Sequence, residues 1–321
     1  MQKQMELVLN DMSVYLNITQ MKQLQESLIK RLEHVIDEEK IDNDGYLVMF
    51  LSAKQVEGCS QRTISYYQST IEKMLSIVNL PIRKMTTDVI REYLKEYQKI
   101  NDCSKLTIDN VRRNLSSFFS WLEEENHILK NPVRRIRKIK TGITVKEIIS
   151  DEKIEIIRDA CTNSRDLAII DMLYSTGIRV GELVNLDIND INFHERECIV
   201  YGKGDKERRV YFDAKTKLHL KKYLNERKDS SKALFVTMNR PHKRLQISGV
   251  EICIRKLGKV LGLDNIHPHK FRRTMATRAI DKGMPIEQVQ QLLGHQQIDT
   301  TMKYAMVNQN NVKISHKKFI G

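Results

Sequence analysis

Residues 292–304 read LLGHQQIDTTMKY, which places Tyr304 nine residues after His295. Upstream stand Arg179 in GIRVGELVNL, Lys203 in GKGDKERR, and His269 and Arg272 in HPHKFRRT. This ordered set of two arginines, a lysine, two histidines and a tyrosine can hold a phosphodiester and attack it with a phenol. A phenol ordinarily titrates at about 10, so it needs a base or strong local positive charge to act as a nucleophile at neutral pH. Arginine supplies a planar fork for two phosphate oxygens, and arginines from separate segments can clamp a pentacoordinate phosphorus by both non-bridging oxygens. The set suits an enzyme that breaks DNA strands.

The local context of each residue bears on this reading. Gly177 can end a helix over 165–176 in a left-handed cap, which puts Arg179 in the turn before a short GELVNL helix. Taken alone, Arg179 would more readily satisfy helix-end carbonyls or Glu182 than serve a phosphate. His269 and Arg272 lie three apart at a helix start opened by Pro268, on one face near the positive end of the dipole. Arg273 points about 100° away from Arg272, toward the surface or a DNA backbone. Gly294 caps a helix over 285–293 and hands the chain to an exposed His295. Lys203 sits at a glycine-flanked hairpin tip and can serve as general acid for a leaving alkoxide, with Lys206 an alternative in the same turn. Tyr304 alone would be an ordinary half-buried tyrosine. No cluster of Asp or Glu offers an oxygen cage for Mg²⁺, so a two-metal nuclease is not supported.

Composition sets the frame. A chain of 321 residues exceeds the usual single-domain size of roughly 100–150, so two domains are expected. Lys+Arg of 54 against Asp+Glu of 41 gives a net charge of +13, which points to polyanionic partners without singling out nucleic acid. Cys59, Cys103, Cys161, Cys198 and Cys253 are widely spaced with no C-x-x-C, which fits a reducing cytosol and suggests neither a zinc site nor a disulfide framework. No apolar run approaches the ~20 residues of a spanning helix, and the N-terminus lacks a signal-peptide profile. A cytoplasmic protein, in a bacterial-type cytosol or nucleoid, is expected.

Along the chain, Met21, Leu24, Leu28, Leu32 and Val35 draw one stripe on a helix over 17–36 that Asn17 or Thr19 can cap. The turn cluster Asp42-Asn43-Asp44-Gly45 then breaks the pattern. Helices are predicted over 46–58, 61–79, 87–99 and 105–126; in the last, Leu115, Phe118, Phe119 and Leu122 face a core while Arg112 and Arg113 crowd the first half. That basic cluster is either a solvated face or a phosphate contact. Asn131-Pro132 stops the helix, and Arg134, Arg135, Arg137, Lys138 and Lys140 follow in a basic linker suited to lie across phosphates. The divisions are thus a helical extension over 1–40, a helical domain over 41–132, a linker over 133–148, and a domain over 149–321 that ends in a tail. Ser150 caps the first helix of this last domain. Its helices are predicted at 151–161, 165–176, 180–186, 214–228, 248–261, 270–282, 285–293 and 299–306, with one hairpin of strands 197–201 and 208–212. The fold class is mainly α with a small β-sheet.

Residues 165–304 resemble the tyrosine recombinase family, the phage-integrase and Xer-like enzymes. The family's motifs match TGIRVGELVNL at Arg179, GKGDKER at Lys203, HKFR at His269 and Arg272, LLGH at 292–295, and the nucleophile at Tyr304. NLSSFFSWLEEENHILKNP at 114–132 is similar to the last helix of the family's core-binding domain, extending the likeness over roughly residues 43–310. Phe271 departs from the usual leucine, and the first ~40 residues exceed a minimal Xer-type chain. The resemblance implies a helical, SAM-like core-binding domain and an α+β catalytic domain that form a C-shaped clamp on double-stranded DNA. Tyr304 would form a 3′-phosphotyrosyl bond, with no metal or nucleotide cofactor. Arg179 and Arg272 would stabilise the transition state, with His269 assisting proton transfer, Lys203 protonating the leaving 5′-oxygen and His295 hydrogen-bonding the phosphate. Recombination sites would be held by a dimer per site and a tetramer in synapse, with room for an accessory DNA-bending protein. The segment 307–321, with Val312, Ile314, Phe319 and Ile320 as apolar anchors, would dock on a neighbouring catalytic domain. The extra N-terminal helix favours integration and excision of a mobile element over Xer-like dimer resolution or inversion. A type IB topoisomerase and a non-catalytic DNA-binding protein are the rival classes.

Overall fold

Side-chain caps set where the helices of the N-terminal half begin. The computed structural model of the chain describes residues 2–38, 41–140, 147–202, 207–263 and 265–305. In it α1 (Gln2–Met12) and α2 (Ile18–Glu38) are followed by α3 (Asn43–Val56), α4 (Gln61–Val78), α5 (Thr87–Asn101) and α6 (Lys105–Glu124). Asp42, Ser60, Thr86 and Ser104 each accept the backbone N–H three residues on, satisfying an otherwise orphaned donor at the starts of α3 to α6. Asn17 caps α2 in the same way, and the Gln20 side chain returns a bond to the Asn17 amide. Two features of this half depart from the sequence reading. The cluster Asp42 to Gly45, expected to break the pattern, is the capped first turn of α3. Helix α1 was not foreseen.

Met1–Ile143 and Thr144–Gly321 form two compact units. The core of the first is aromatic: Phe50, Phe118 and Phe119 are fully buried, with Phe50 and Phe118 rings 5.2 Å apart edge to face. The predicted α6 stripe of Leu115, Phe118, Phe119 and Leu122 lies wholly inside. This core draws on residues from Ile41 to Ile139, and Met21, Leu24 and Leu28 of the α2 stripe are only half-buried.

The stretch expected as a linker is in part a packed strap. Val133 is buried and Ile136 and Ile139 pack against the first unit's core, three residues apart each time, so the intervening Arg134, Arg135, Arg137, Lys138 and Lys140 face outward. Backbone groups hold the strap: Pro132 O accepts from Thr87 Oγ1 at 2.8 Å, and the Ile139 amide donates to Asp109 Oδ1 at 3.1 Å. Asp109 is buried on α6, where Arg112 Nε also meets it at 2.9 Å. Burial would raise the Asp109 carboxyl, but Arg112 and the Ile139 amide hold it below the usual range. Arg112 is therefore an internal tie, whereas Arg113 is exposed as expected. Arg134 pairs with Glu123 while remaining largely exposed.

The second unit runs α7 (Asp151–Asp159), α8 (Ser164–Thr176), α9 (Val180–Asn185), β1 (Ile191–Asn192), β2 (Glu197–Tyr201), β3 (Glu207–Tyr211), α10 (Ala214–Glu226), α11 (Ile247–Val260), α12 (Pro268–Asp281), α13 (Ile286–Leu293) and α14 (Ile298–Ala305). The sheet is antiparallel in the order β1-β2-β3, with Cys198 opposite Val210 and Val200 opposite Arg208. Strand β1 adds a short edge that the sequence reading lacked. Side chains alternate across a strand, so Arg208 shares the inward face with Val210. Helix α8 is the spine, with Ala168, Ile169, Ile170, Met172 and Leu173 all buried. At the unit's start, the Ile149 amide donates to Thr274 Oγ1 of α12 at 3.0 Å, and Arg278 of the same helix pairs with Asp151.

Replacing Asp109 by Asn removes the charge that Arg112 and the strap share. The expected loss is about 1.5–3 kcal/mol, read from urea unfolding, with the Ile139 amide losing protection in hydrogen exchange. Unchanged protection at Ile139 would mean that its apolar packing alone holds the strap.

Candidate active site

A helix leaves its last carbonyls without intrahelical donors, and these sit at the negative end of the dipole. At the end of α13, Gly294 adopts φ +63°, and the amides of Gly294 and His295 turn back onto Gln291 O and Gln290 O. The next three carbonyls each receive an arginine from a different element. Arg208 Nε of β3 donates to Leu292 O at 3.0 Å, Arg272 Nη2 of α12 to Leu293 O at 2.6 Å, and Arg179 Nη2 at the start of α9 to Gly294 O at 3.2 Å. A side chain on Gly294 would meet Arg208 Cδ at 2.9 Å besides straining the backbone.

A second left-handed cap completes the arrangement. Gly177 ends α8 at φ +62°, and its carbonyl accepts Arg272 Nη1 at 2.6 Å. Arg272 is 2% exposed, and burial together with the Arg179 and Arg208 charges lowers its pKa to about 10, so it stays cationic at neutral pH. Opposing these cations is one buried carboxylate, Glu182 of α9. It accepts Arg208 Nη1 and Nη2 at 2.7 and 2.6 Å, Arg179 Nη1 at 2.9 Å and the Arg179 amide at 2.8 Å. Burial would raise the Glu182 carboxyl, but the hydrogen bonds from Arg208 and Arg179 overcome it and hold it below the usual range. Both local roles read for Arg179, on Glu182 and on a helix-end carbonyl, are thus present together, and the side chain is still 38% exposed.

His295 leaves α13 directly onto this cluster. Its Nε2 faces Arg272 Nη2 at 3.1 Å and its Nδ1 meets Thr301 Oγ1 at 2.9 Å. Guanidinium only donates, so Nε2 is the acceptor and the proton of the neutral ring is on Nδ1. Burial and the charges of Arg272, Arg179 and Arg208 lower its pKa to about 4. Contrary to expectation, the ring is half-buried instead of exposed. Tyr304 of α14 lies against it, ring centroids 6.0 Å apart and planes at 27°, and packs on the small apolar cluster of Met275, Ala276, Val289 and Leu293.

Of the sequence-predicted residues, the structure brings together Arg179, Arg272, His295 and Tyr304. His269 stands exposed in the first turn of α12, its ring 6.5 Å from that of His267. Arg273, expected at the surface, is half-buried with Nε shielded from solvent and no hydrogen-bond partner. Lys203 and its alternative Lys206 lie outside the described residues, as does the segment 307–321. Arg208 and Thr301 were missed, and Glu182 was read only as a local partner of Arg179. Arg208 had one signal, its place on the inward side of a strand beside Val210; Thr301 reads as an ordinary helix residue. Beside the cluster opens a cleft of about 1370 Å³ lined by Arg179, Arg208, His295 and Gln291 among others. Among the described residues no group of three His, Cys, Asp or Glu side chains is placed to hold a metal ion, and no helix is long and apolar enough to cross a membrane.

Residues 146–311 match the family model described as "Phage integrase family", and residues 47–128 match "Phage integrase, N-terminal SAM-like domain". Tyrosine recombinase XerA of Pyrococcus horikoshii is 30% identical over 286 residues, covering 88% of this chain and 96% of the relative. Tyrosine recombinase XerC of Thermodesulfovibrio yellowstonii is 32% identical over 277 residues, covering 82% and 92%. Among solved structures, a lambda integrase dimer bound to a COC′ core site is similar in fold, with TM-score 0.71 and 19% identity over 91% of this chain and 86% of that one. The XerH recombinase bound to palindromic difH substrate gives TM-score 0.69 and 20% identity over 84% and 83%.

Two outcomes follow from the geometry. Arg208→Ala leaves Glu182 buried with a single arginine, and the expected cost is about 3–5 kcal/mol, read from urea unfolding; stability equal to the parent would mean that Arg179 alone suffices. For His295, the folded pKa of about 4 lies below the imidazole's ordinary value of 6.5, so the unfolded chain binds this proton more readily. The stability tied to the neutral ring is present above pH 6.5 and is lost as pH falls toward 4. His295→Gln should therefore show a shallower decline in unfolding free energy over that window than the parent, and equal slopes would contradict it.

Proposed function

This chain belongs to the phage integrase family of tyrosine recombinases and is a site-specific recombinase, and from that premise we propose how its residues divide the reaction. Tyr304 is the nucleophile. Its Oη forms a bond to the scissile phosphorus as the bond to the 5′-oxygen breaks, giving a 3′-phosphotyrosyl link and a free 5′-hydroxyl; attack by a 5′-hydroxyl of the partner strand reverses the step. The observation that carries this reading is the meeting of Arg179, Arg272 and His295 around the end of α13 with the Tyr304 ring stacked beside them. Arg272 is held on its inner side by three acceptors, which leaves the rest of its N–H fork for a phosphate oxygen. Arg179, partly exposed, supplies the second clamp. Preorganised charge of this kind, fixed before substrate arrives, lowers the barrier without reorganisation. His295 then hydrogen-bonds the phosphate. The roles of Lys203 as acid for the 5′-oxygen and of His269 in proton transfer rest on the family's motifs.

The exposed Arg113, Arg135, Arg137, Lys138 and Lys140 are the DNA-backbone contacts we favour, because Arg112 is occupied by Asp109, Arg134 by Glu123, and Arg273 is half-buried. Partners are double-stranded recombination sites, held by a dimer per site and a tetramer in synapse. For the biological role, the XerA and XerC relatives favour Xer-type resolution over the mobile-element integration that the N-terminal extension suggests. Recombination of two directly repeated sites on a plasmid dimer, with no element-encoded partner added, is the assay that separates them.

The reading of Tyr304 is tested on a duplex selected by binding from a random-sequence pool and nicked beside the cleavage position to trap the adduct. Tyr304→Phe should bind this duplex like the parent and form no denaturant-resistant adduct, because only the attacking oxygen is lost. An adduct from the variant would assign the nucleophile elsewhere.

A further inference from the structure

Thr301 is fully buried on α14, three residues before Tyr304 and thus on the same side of the helix. Its hydroxyl meets His295 Nδ1. The backbone of His295 is clamped independently of this contact: its amide donates to Gln290 O at 3.1 Å and its carbonyl accepts from Gln290 Nε2 at 3.0 Å. Only side chains therefore decide how the ring is turned and which nitrogen carries the proton. These are Arg272 on Nε2, Thr301 on Nδ1 and the Tyr304 ring beside it.

In the free protein Arg272 forces Nε2 to accept, so Nδ1–H donates to Thr301 Oγ1. A phosphate oxygen that replaces Arg272 on Nε2 makes the opposite demand, since an oxygen anion needs a donor, and the Arg272 N–H it displaces is free to meet the phosphate as well. The neutral ring must then carry its proton on Nε2, and Nδ1 becomes an acceptor. The change moves no net proton: the one leaving Nδ1 to solvent is replaced at Nε2 from solvent. A carbonyl or carboxylate beside Nδ1 could only accept and would oppose that state. A hydroxyl both accepts and donates, so it satisfies Nδ1 before and after by turning its O–H.

We propose that Thr301 is a positioning residue that holds the His295 ring in either tautomer and so ties the nucleophile's helix to the phosphate pocket. The inference rests on the assignment of His295 and Tyr304 made above. The low pKa of His295 is consistent with a ring that changes tautomer while remaining neutral.

The test uses the full chain and the nicked duplex described for Tyr304. Thr301→Val keeps the shape but removes the hydroxyl; single-turnover adduct formation should fall about 10–100-fold, the scale for partners that orient a functional imidazole, with the Kd for the duplex unchanged. Thr301→Ser should stay within about threefold of the parent. The ring nitrogen signals of His295, from ¹⁵N-histidine NMR, should place the proton on Nδ1 in the free parent and on Nε2 in the DNA complex of the Tyr304→Phe protein. In Thr301→Val, Arg272 still holds the free-state proton on Nδ1, whereas the DNA complex, with no hydroxyl to donate to Nδ1, should no longer report a single tautomer. Parent-like cleavage by Thr301→Val, equal defects in the Val and Ser variants, or a proton on Nε2 in the free parent would each overturn the inference. If the parent itself forms no adduct, the assignment of Tyr304 fails instead, and the nitrogen signals still decide the role of Thr301.

Discussion

Three consecutive backbone carbonyls at the end of α13, those of Leu292, Leu293 and Gly294, each accept a guanidinium N–H from a separate element of the second unit. Everything at the site depends on this. Like charges brought together repel, and three arginines side by side would separate without compensation. Here the compensation is built from backbone oxygens at the negative end of a helix dipole and from one buried carboxylate, Glu182. Each charge-assisted bond contributes on the order of 1.5–3 kcal/mol when its partner would otherwise be left unsatisfied, and together they fix the three cations in place.

The same device explains the glycines. Gly294 must turn in the left-handed sense so that its carbonyl faces Arg179, and any Cβ there would press on Arg208. Gly177 makes the corresponding turn at the end of α8 and offers its carbonyl to Arg272. Two helix ends and one strand thus converge on a small volume, and His295, next in the chain after Gly294, is delivered to it by the geometry of the cap. Burial there, together with the arginine charges, keeps that imidazole neutral at neutral pH. A neutral ring leaves the positive charge on groups that cannot release it, while the ring itself can turn between donor and acceptor.

The outward side of the protein follows a plainer rule. In the strap after Pro132, apolar residues at every third position dock on the helical unit, and the residues between them have no choice but to face solvent. A basic sequence with that period presents its charge on a surface whose backbone is already ordered, so binding a polyanion there costs less chain entropy than a free linker would. Asp109 stabilises both the strap and Arg112, which removes that arginine from the exposed set.

Short-range pattern determined much of this protein. Apolar periods placed α4, α5 and α6 within a few residues, the β-rich runs around GKGDKE placed the hairpin, and the motifs around Arg179, Arg272, His295 and Tyr304 singled out four residues that the fold brings together. These are legible because a cap, a period or a motif is a property of neighbours in the chain. The inward place of Arg208 beside Val210 was also within reach of strand alternation. What lies across from it was not: that its fork closes on Glu182, that its Nε reaches Leu292 O, that Thr301 holds His295, and that Asp109 ties down Ile139 are facts of side chains meeting from distant segments. Only the tertiary structure decides them, because the partners of a buried charge or hydroxyl are chosen by which elements pack together, and chain spacing does not carry that information.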